Sequence, residues 1–479
     1  MVVAHLGNEP HIDLCATDAL TLCNRFQVVQ ETLLSKSACL ILGDTAIPWT
    51  TVHQAASNIV MHTITCCREP TVGTYEDHTR MWQVHAKVKA RLTAAAQVIL
   101  SFRCVPPGTS NELLANLWMY RNRLASLDYD KVYGVLGLLK TDLATIQPDY
   151  EKPFPELCRS VVLADIQASG NLHALKGIRT LLDVEQTSWC TDWSDLDFWT
   201  EDQSRVLTEL YKQLYAASDL YKARVHRPID RDSPSGILLV AGRIYDSVDY
   251  ITDLLPFRSD MICASTRKQL SRLKLALQKL QGSRKDREYI AGGSVFSAFW
   301  RTLIGDCILP YREGQDLLHA AGSSTDDNWI PSIRRATPVD LLAFLLWWIG
   351  AGKGSLLQQD SFAITASGNK VPRQDKQSAS YTSNMIKKLS AVRDIHASII
   401  RATSGRRMFV TKNRYVGLGP EHTRVGDSVA LLLGGSTPFV LRGVEQQWMV
   451  LGDCYVHGAM DGEFVKDGDA ANWPMLELV

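Results

Sequence analysis

Five polar residues near the end of the chain carry groups that could do chemistry: Asp453, Cys454, His457, Asp461 and Glu463. A thiolate, an imidazole and a carboxylate at this spacing could hold a metal ion, and a cysteine near a histidine could act as a nucleophile. A single C-x-x-H pair lacks the second ligand pair of a zinc site, and Cys454 follows an alternating strand pattern typical of a core position. We therefore expect a structural role here, with no metal and no cofactor.

Glu31 is the second candidate, and it lies in the segment RFQVVQE on a predicted helix near a strand end. A carboxylate in that place could serve as an acid/base or bind a ribose hydroxyl. The alternative is a helix-surface glutamate that pairs with Lys36 or Arg25. The residues alone favour this second interpretation.

The composition excludes several classes of protein. Lys+Arg and Asp+Glu are equal at 51 each among 479 residues, so no bulk charge attracts nucleic acid or anionic lipid. The most apolar run, 341–350, is far shorter than the ~20 residues that cross a bilayer. Eleven cysteines without a C-x-x-C motif, and an amino terminus without a leader pattern, predict a cytoplasmic protein. A basic stripe at 265–281 is typical of a solvated helix face, so we expect no membrane partner. The zero net charge favours this interpretation over a third one, a nucleic-acid-binding regulator that uses the stripe and the β unit.

Apolar periodicity predicts four parts of the chain. Residues 1–60 read as strand, helix, strand and helix, an α/β fragment, and 61–351 as a mostly helical middle region in which Asp128 and Asp130 cap a helix. The polar stretch 352–383 is typical of a flexible linker. In 384–479 a helix precedes short apolar runs cut by Gly, Asn, Asp and Pro, which predict a small antiparallel β-barrel. The fold class is therefore α+β.

Several motifs together resemble the fungal heterokaryon-incompatibility domain family. The segments are RFQVVQE (25–31), LILGDTAIPW (40–49), LDYDKVYGVLGLL (127–139), SWCTDW (188–193), FWRTL (299–303) and the run from 405 to 462. The residues that carry the resemblance are Arg25, Gln30, Trp49, Asp130, Tyr133, Gly137, Trp189, Trp193, Trp300, Arg301, Gly405, Arg406, Gly419, Pro420, Gly426, Asp427, Pro438, Arg442, Tyr455, Gly458, Met460 and Gly462.

Two departures from the family pattern stand at the front of the chain. The opening motifs of the signature domain are missing, and Gln27 stands where the family has a tryptophan. The resemblance thus implies that 1–60 is the rear part of a heterokaryon-incompatibility domain, an α/β remnant similar to Toll/interleukin-receptor domains.

The resemblance also implies a function. We expect a signalling or interaction protein in fungal self/non-self recognition and regulated cell death, impaired by truncation, rather than an enzyme. Its partners would be proteins, such as another incompatibility-domain chain. The alternative is an NAD-cleaving enzyme of the Toll/interleukin-receptor type that uses Glu31.

Overall fold

The contacts of the computed structural model divide the chain into two compact units. Unit 1 contains Met1–Leu157, Asp192–Phe198 and Arg312–Pro331, and unit 2 contains Cys158–Thr191, Trp199–Tyr311 and Ser332–Val479. The structure describes residues 26–42, 44–65, 112–121, 123–139, 146–177, 187–194, 213–226, 236–253, 288–309, 333–353, 376–465 and 470–479, with the single residues Leu92, Ala96, Ile99, Val206 and Glu209. Arg25, the first predicted strand, the basic stripe and linker residues 354–375 lie outside the described residues.

This division cuts across the boundaries predicted from the sequence. Unit 1 runs well beyond residue 60, and unit 2 combines parts of the predicted helical middle with the C-terminal module. Helix and sheet are mixed through the described chain, in agreement with the α+β prediction.

Unit 1 holds four described helices and one hairpin. They are α1 (Phe26–Leu34), β1 (Cys39–Leu42), β2 (Thr45–Pro48), α2 (Trp49–Thr65), α3 (Glu112–Tyr120) and α4 (Asp128–Leu136). Strands β1 and β2 pair antiparallel, with Leu42 opposite Thr45. The described strands of unit 1 form this hairpin alone and show no parallel sheet of the Toll/interleukin-receptor kind.

The start of α4 differs from the predicted cap. The residue at the N-cap position is Leu127, which has no capping side chain, and both Asp128 and Asp130 lie in the first turn. There they favour the positive end of the helix dipole. The Asp130 carboxylate accepts a hydrogen bond from the Tyr150 hydroxyl at 2.9 Å, and this bond raises the pKa of Tyr150.

Unit 2 contains four described α-helices, the last three of which pack around a large aromatic core. They are α5 (Phe154–Ser169, mostly in unit 2), α6 (Val295–Leu303), α7 (Asp340–Lys353) and α8 (Lys376–Thr403), with a short strand pair β5 (Cys307–Ile308) and β6 (Arg334–Arg335). Phe344 lies 5.7 Å from Trp300 and 5.8 Å from Trp347, ring centre to ring centre. None of the helices that the structure describes has the length and apolar character needed to cross a bilayer. Helix α8 begins at Lys376, inside the predicted linker.

In the described part of unit 2, the barrel is built from nine strands of one sheet. Besides the two-residue β3 (Val225–His226) they are β4 (Leu238–Ile251), β7 (Arg406–Thr411), β8 (Val416–Pro420), β9 (Ser428–Leu432), β10 (Phe439–Val444), β11 (Gln447–Asp453), β12 (Tyr455–Val456) and β13 (Met475–Leu478). The order β4–β13–β11–β10–β9 returns to β4, which closes a ring of five strands. Strands β7, β8 and β12 extend the sheet from the far part of β4.

Strand β4 joins this barrel from the predicted helical middle. It pairs antiparallel with β3, β7, β9 and β13, so four other strands hydrogen-bond to it. The run ILLVAGRIYDSV (237–248) is strand-like in its sequence but gives no sign of its partners. The predicted module 384–479 therefore lacks a central strand. A pattern of buried side chains reveals a strand, whereas the neighbour it pairs with is set by the whole fold.

Gly242 in β4 lies where the strands of the ring pack closely against one another. A Cβ atom added at Gly242 would lie 2.9 Å from the carbonyl oxygen of Leu431 and 2.5 Å from a methyl of Leu432. At the exposed Gly443 of β10 the nearest atom, in Trp448, would be 3.8 Å away. We predict that Gly242→Ala lowers the free energy of unfolding by about 1–3 kcal/mol because β9 must move. Denaturant unfolding of the full chain measures this.

Gly443→Ala is the matched control, since it adds the same methyl group to an exposed strand position. It should change the free energy of unfolding by no more than about 0.5 kcal/mol. Equal losses in both variants would show that the ring is not closed at Gly242 as described.

Candidate functional site

A small cavity in unit 2 gathers the buried charged side chains next to the barrel. Its volume is about 30 Å³, which is room for about two water molecules. The charged residues that line it are Glu209, Arg401, Arg406 and Asp453. Tyr455 and Met460, which the family resemblance singles out along with Arg406, also line it. Helix α8 and strands β7, β8, β11 and β12 thus position the site.

The first ion pair at the cavity joins Arg406 on β7 to Asp453 on β11. Arg406 Nη2 lies 3.1 Å from Asp453 Oδ1, and Nη1 donates to the Asp453 carbonyl oxygen at 2.8 Å. The backbone N–H of Gly177 donates to the same carboxylate at 2.9 Å. Both charged side chains are almost completely buried, at 3% and 2% exposed. Burial of this pair is tolerated because hydrogen bonds satisfy the carboxylate from two sides.

The second ion pair joins Lys176 to Glu209. Lys176 Nζ donates to Glu209 Oε2 at 2.7 Å, and their side chains are 1% and 5% exposed. Neither residue stood out in the sequence. They are 33 positions apart, and a lysine and a glutamate at that distance give no local signal of a pair.

The polar cluster at 453–463 does not converge on one point. Asp453 bonds to Arg406, whereas the His457 ring nitrogen Nδ1 lies 2.9 Å from the Tyr455 hydroxyl. Asp461 accepts two hydrogen bonds from Arg335, both at 2.9 Å. Cys454 is a core residue, as its strand pattern predicted, and burial raises the pKa of its thiol far above the ordinary value. A protonated thiol is a poor metal ligand and a poor nucleophile.

A second charged network surrounds Asp306. Its carboxylate accepts hydrogen bonds from Arg301 at 2.5 Å and from Arg335 at 2.6 Å, and Arg335 continues to Asp461. Arg301, a family-motif residue, also donates to the Ala336 carbonyl at 3.1 Å. The network ties α6 to β6 and to the turn after β12. The sequence alone does not indicate Asp306 or Arg335, because neither residue belongs to a short-range pattern.

In unit 1 the motif residues meet where α1 packs on α4. The Gln30 side chain donates to the Gly134 carbonyl at 2.6 Å. A Cβ at Gly137 would lie 2.9 Å from the Gln30 amide nitrogen, so the glycine leaves room for that amide. The Tyr133 hydroxyl donates to the Asp149 carbonyl at 2.7 Å. These contacts are structural.

Glu31 itself is exposed on α1, and Trp49, the first residue of α2, is half-buried. A catalytic role for Glu31 stays a prediction.

Three tryptophans of the motifs, Trp189, Trp193 and Trp300, are buried. Trp193 packs edge to face on Trp118 at 5.8 Å, and the Arg121 guanidinium lies over both rings in unit 1. Trp189 donates its indole N–H to the Gly236 carbonyl at 2.7 Å in unit 2. Aromatic stacking of this kind adds stability beyond the buried area.

The remaining motif residues shape the turns and strand ends of the barrel. Arg442 on β10 bonds to both carboxylate oxygens of Asp427, at 2.8 and 2.9 Å. Gly405, Gly426, Gly458 and Gly462 have positive φ angles, which a glycine adopts without strain. Gly419 and Pro420 lie on β8, the Pro438 carbonyl accepts the Cys454 N–H, and the Met460 sulfur accepts the Val456 N–H.

The buried Arg406–Asp453 pair yields a test of stability. We predict that Arg406→Gln lowers the free energy of unfolding by about 3–5 kcal/mol, because it leaves the Asp453 charge buried without its cation. Arg334→Gln is the matched control, since Arg334 pairs with Asp340 while half exposed, and it should cost about 1 kcal/mol or less. Similar losses in the two variants, measured by denaturant unfolding, would contradict the buried pair.

His457 yields a test of pH dependence. Burial is the main cause that lowers its pKa to about 4 from the ordinary value near 6.5. Between those two pH values the unfolded chain binds a proton that the folded chain does not, so the folded state loses stability as pH falls. One such group contributes at most about 1.4 kcal/mol per pH unit.

We therefore expect His457→Gln to flatten the fall in unfolding free energy between pH 6.5 and 4. His226→Gln, at an exposed position on β3, should keep the slope of the parent chain. Urea unfolding at half-unit pH steps measures both slopes, and identical slopes in His457→Gln and the parent would refute the assignment.

Comparison with known proteins gives two matches. Residues 360–473 match the Het-6 beta-barrel domain, a range that contains β7 to β12 but neither β4 nor β13. The chain is 23% identical over 372 residues to "Heterokaryon incompatibility protein 6, OR allele" of Neurospora crassa. The match covers 72% of this chain and 50% of that protein, so the chain spans about half the length of this curated relative. No solved structure matches the chain. The chain is therefore similar to a fungal heterokaryon-incompatibility protein over most of its length, and residues 360–473 match the Het-6 beta-barrel domain.

Proposed function

We propose that this protein acts in fungal self/non-self recognition, as a cytoplasmic interaction protein whose engagement leads to regulated cell death. The observation that carries the proposal is the 372-residue match to a protein named for heterokaryon incompatibility. It extends well beyond the barrel-domain range, because it covers 72% of the chain and that range is residues 360–473.

The contacts of the motif residues support an interaction role rather than catalysis. Arg406, Arg301 and Arg442 each bind a carboxylate of the same unit, and Trp189 donates to the backbone. Side chains that make these bonds stabilise the conformation of the surface around them. Recognition by such a surface would depend on the side chains that project from it.

The partner that we propose is a protein, such as a second incompatibility-domain chain. Residues 1–60 would then act as the rear part of a Toll/interleukin-receptor-like domain. The NAD-cleaving alternative depends on Glu31, which is exposed on α1. A buried carboxylate would suit acid/base chemistry better, because desolvation brings its pKa toward neutrality.

The test is induced expression of the chain in a panel of fungal strains that differ in their incompatibility alleles. We expect dye-permeable, dying hyphal compartments and arrested growth in some strains and normal growth in others. Glu31→Gln should kill the same strains as the parent chain. Normal growth of every strain, with the protein present at full length, would contradict the proposed function.

The Glu31→Gln arm also separates the two candidate functions. If this variant accumulates normally and no strain dies, the enzyme alternative replaces the interaction role. Cellular NAD measured in the same cultures gives an independent readout, since the interaction role predicts equal NAD levels in parent and variant before death begins.

A further inference from the structure

Arg401 brings an unmatched positive charge to the cavity of unit 2. It stands near the end of α8, is 9% exposed, and lines the cavity. Its Nε and Nη2 atoms are buried and have no hydrogen-bond partner. A guanidinium keeps its charge at any accessible pH, so proton loss cannot relieve the cost of burying it.

The other charges at the cavity are already matched. Lys176 is paired with Glu209 at 2.7 Å, and Arg406 is paired with Asp453 at 3.1 Å. Among the described residues around the cavity, Arg401 therefore adds one positive charge that no carboxylate balances. Burial of an unpaired charge costs several kcal/mol, and proteins avoid it by pairing the charge.

Two further donors face the same space without a partner. They are the Thr437 hydroxyl and Arg406 Nε, both buried, on residues that line the cavity. Buried donors without partners are rare in folded proteins and indicate a bound water or ion. The lining therefore offers a set of N–H and O–H donors and one uncompensated cation.

We propose that this cavity binds a small monovalent anion of the size of chloride, held by Arg401 with Thr437 and Arg406. The volume of about 30 Å³ admits an ion slightly larger than a water molecule and is too small for a nucleotide. The carboxylates of Glu209 and Asp453 also line the cavity and would repel an anion. Their bonds to Lys176 and Arg406 offset that repulsion, which leaves the Arg401 charge to attract it.

The anion would act as a structural ion of the barrel unit. It would link the end of α8 to β7 and to the turn that holds Thr437, three segments that the cavity otherwise separates. Binding to the folded chain alone stabilises it in proportion to the logarithm of anion concentration above the dissociation constant.

The experiment measures the melting temperature of the full chain as chloride replaces gluconate at constant ionic strength. We expect the melting temperature to rise by about 1–3 °C at ten times the dissociation constant, with bromide equivalent to chloride. Crystals grown in bromide should show an anomalous peak within hydrogen-bond distance of Arg401. An unchanged melting temperature, or a cavity that holds only water, would overturn the proposal.

Two variants locate the ion. Arg401→Met should abolish the chloride-dependent shift, whereas Arg424→Gln, at an exposed position of the barrel, should keep it. A shift that persists in Arg401→Met would also overturn the proposal. If that variant does not fold, Arg401→Lys keeps the charge and should weaken the shift, and the bromide experiment on the parent chain decides independently.

Discussion

The buried carboxylate of Asp453 holds three separate segments of unit 2 together. It accepts hydrogen bonds from Gly177 and from Arg406, and the same arginine donates to the Asp453 carbonyl. Because Lys176 precedes Gly177, the loop fixed by this carboxylate also brings Lys176 to Glu209. A charge that is buried away from water needs a partner of opposite charge or hydrogen-bond donors beside it. This requirement fixes the positions of the three segments relative to one another.

The same principle explains why arginines recur in the motifs. Arg301, Arg406 and Arg442 each reach a carboxylate of their own unit with hydrogen bonds of 3.1 Å or less. Arginine suits this task because its planar group presents several donors in fixed directions. These motif arginines therefore belong to the scaffold of unit 2.

Local signals in the sequence predicted the local parts of the fold. Helices α5 and α6 lie in the region predicted to be mostly helical, and Cys454 is buried, as its place in an alternating strand pattern indicated. The candidate site was harder to predict from the sequence. Arg406, Tyr455 and Met460 were found by resemblance, but Glu209 and Arg401 carry no pattern of their own. Arg335 and Asp461 are 126 positions apart, and only the folded chain brings them together.

The long separation between β4 and its partners has a consequence for synthesis. Gly242 pairs with Leu432, and Ala241 pairs with Met475. A ribosome that adds about 5–20 residues per second needs roughly 10–40 s between the first pair of positions. During that time β4 has emerged with unpaired backbone edges, which invite pairing with other chains. The edge of β4 is therefore exposed to such pairing until translation delivers the rest of the ring.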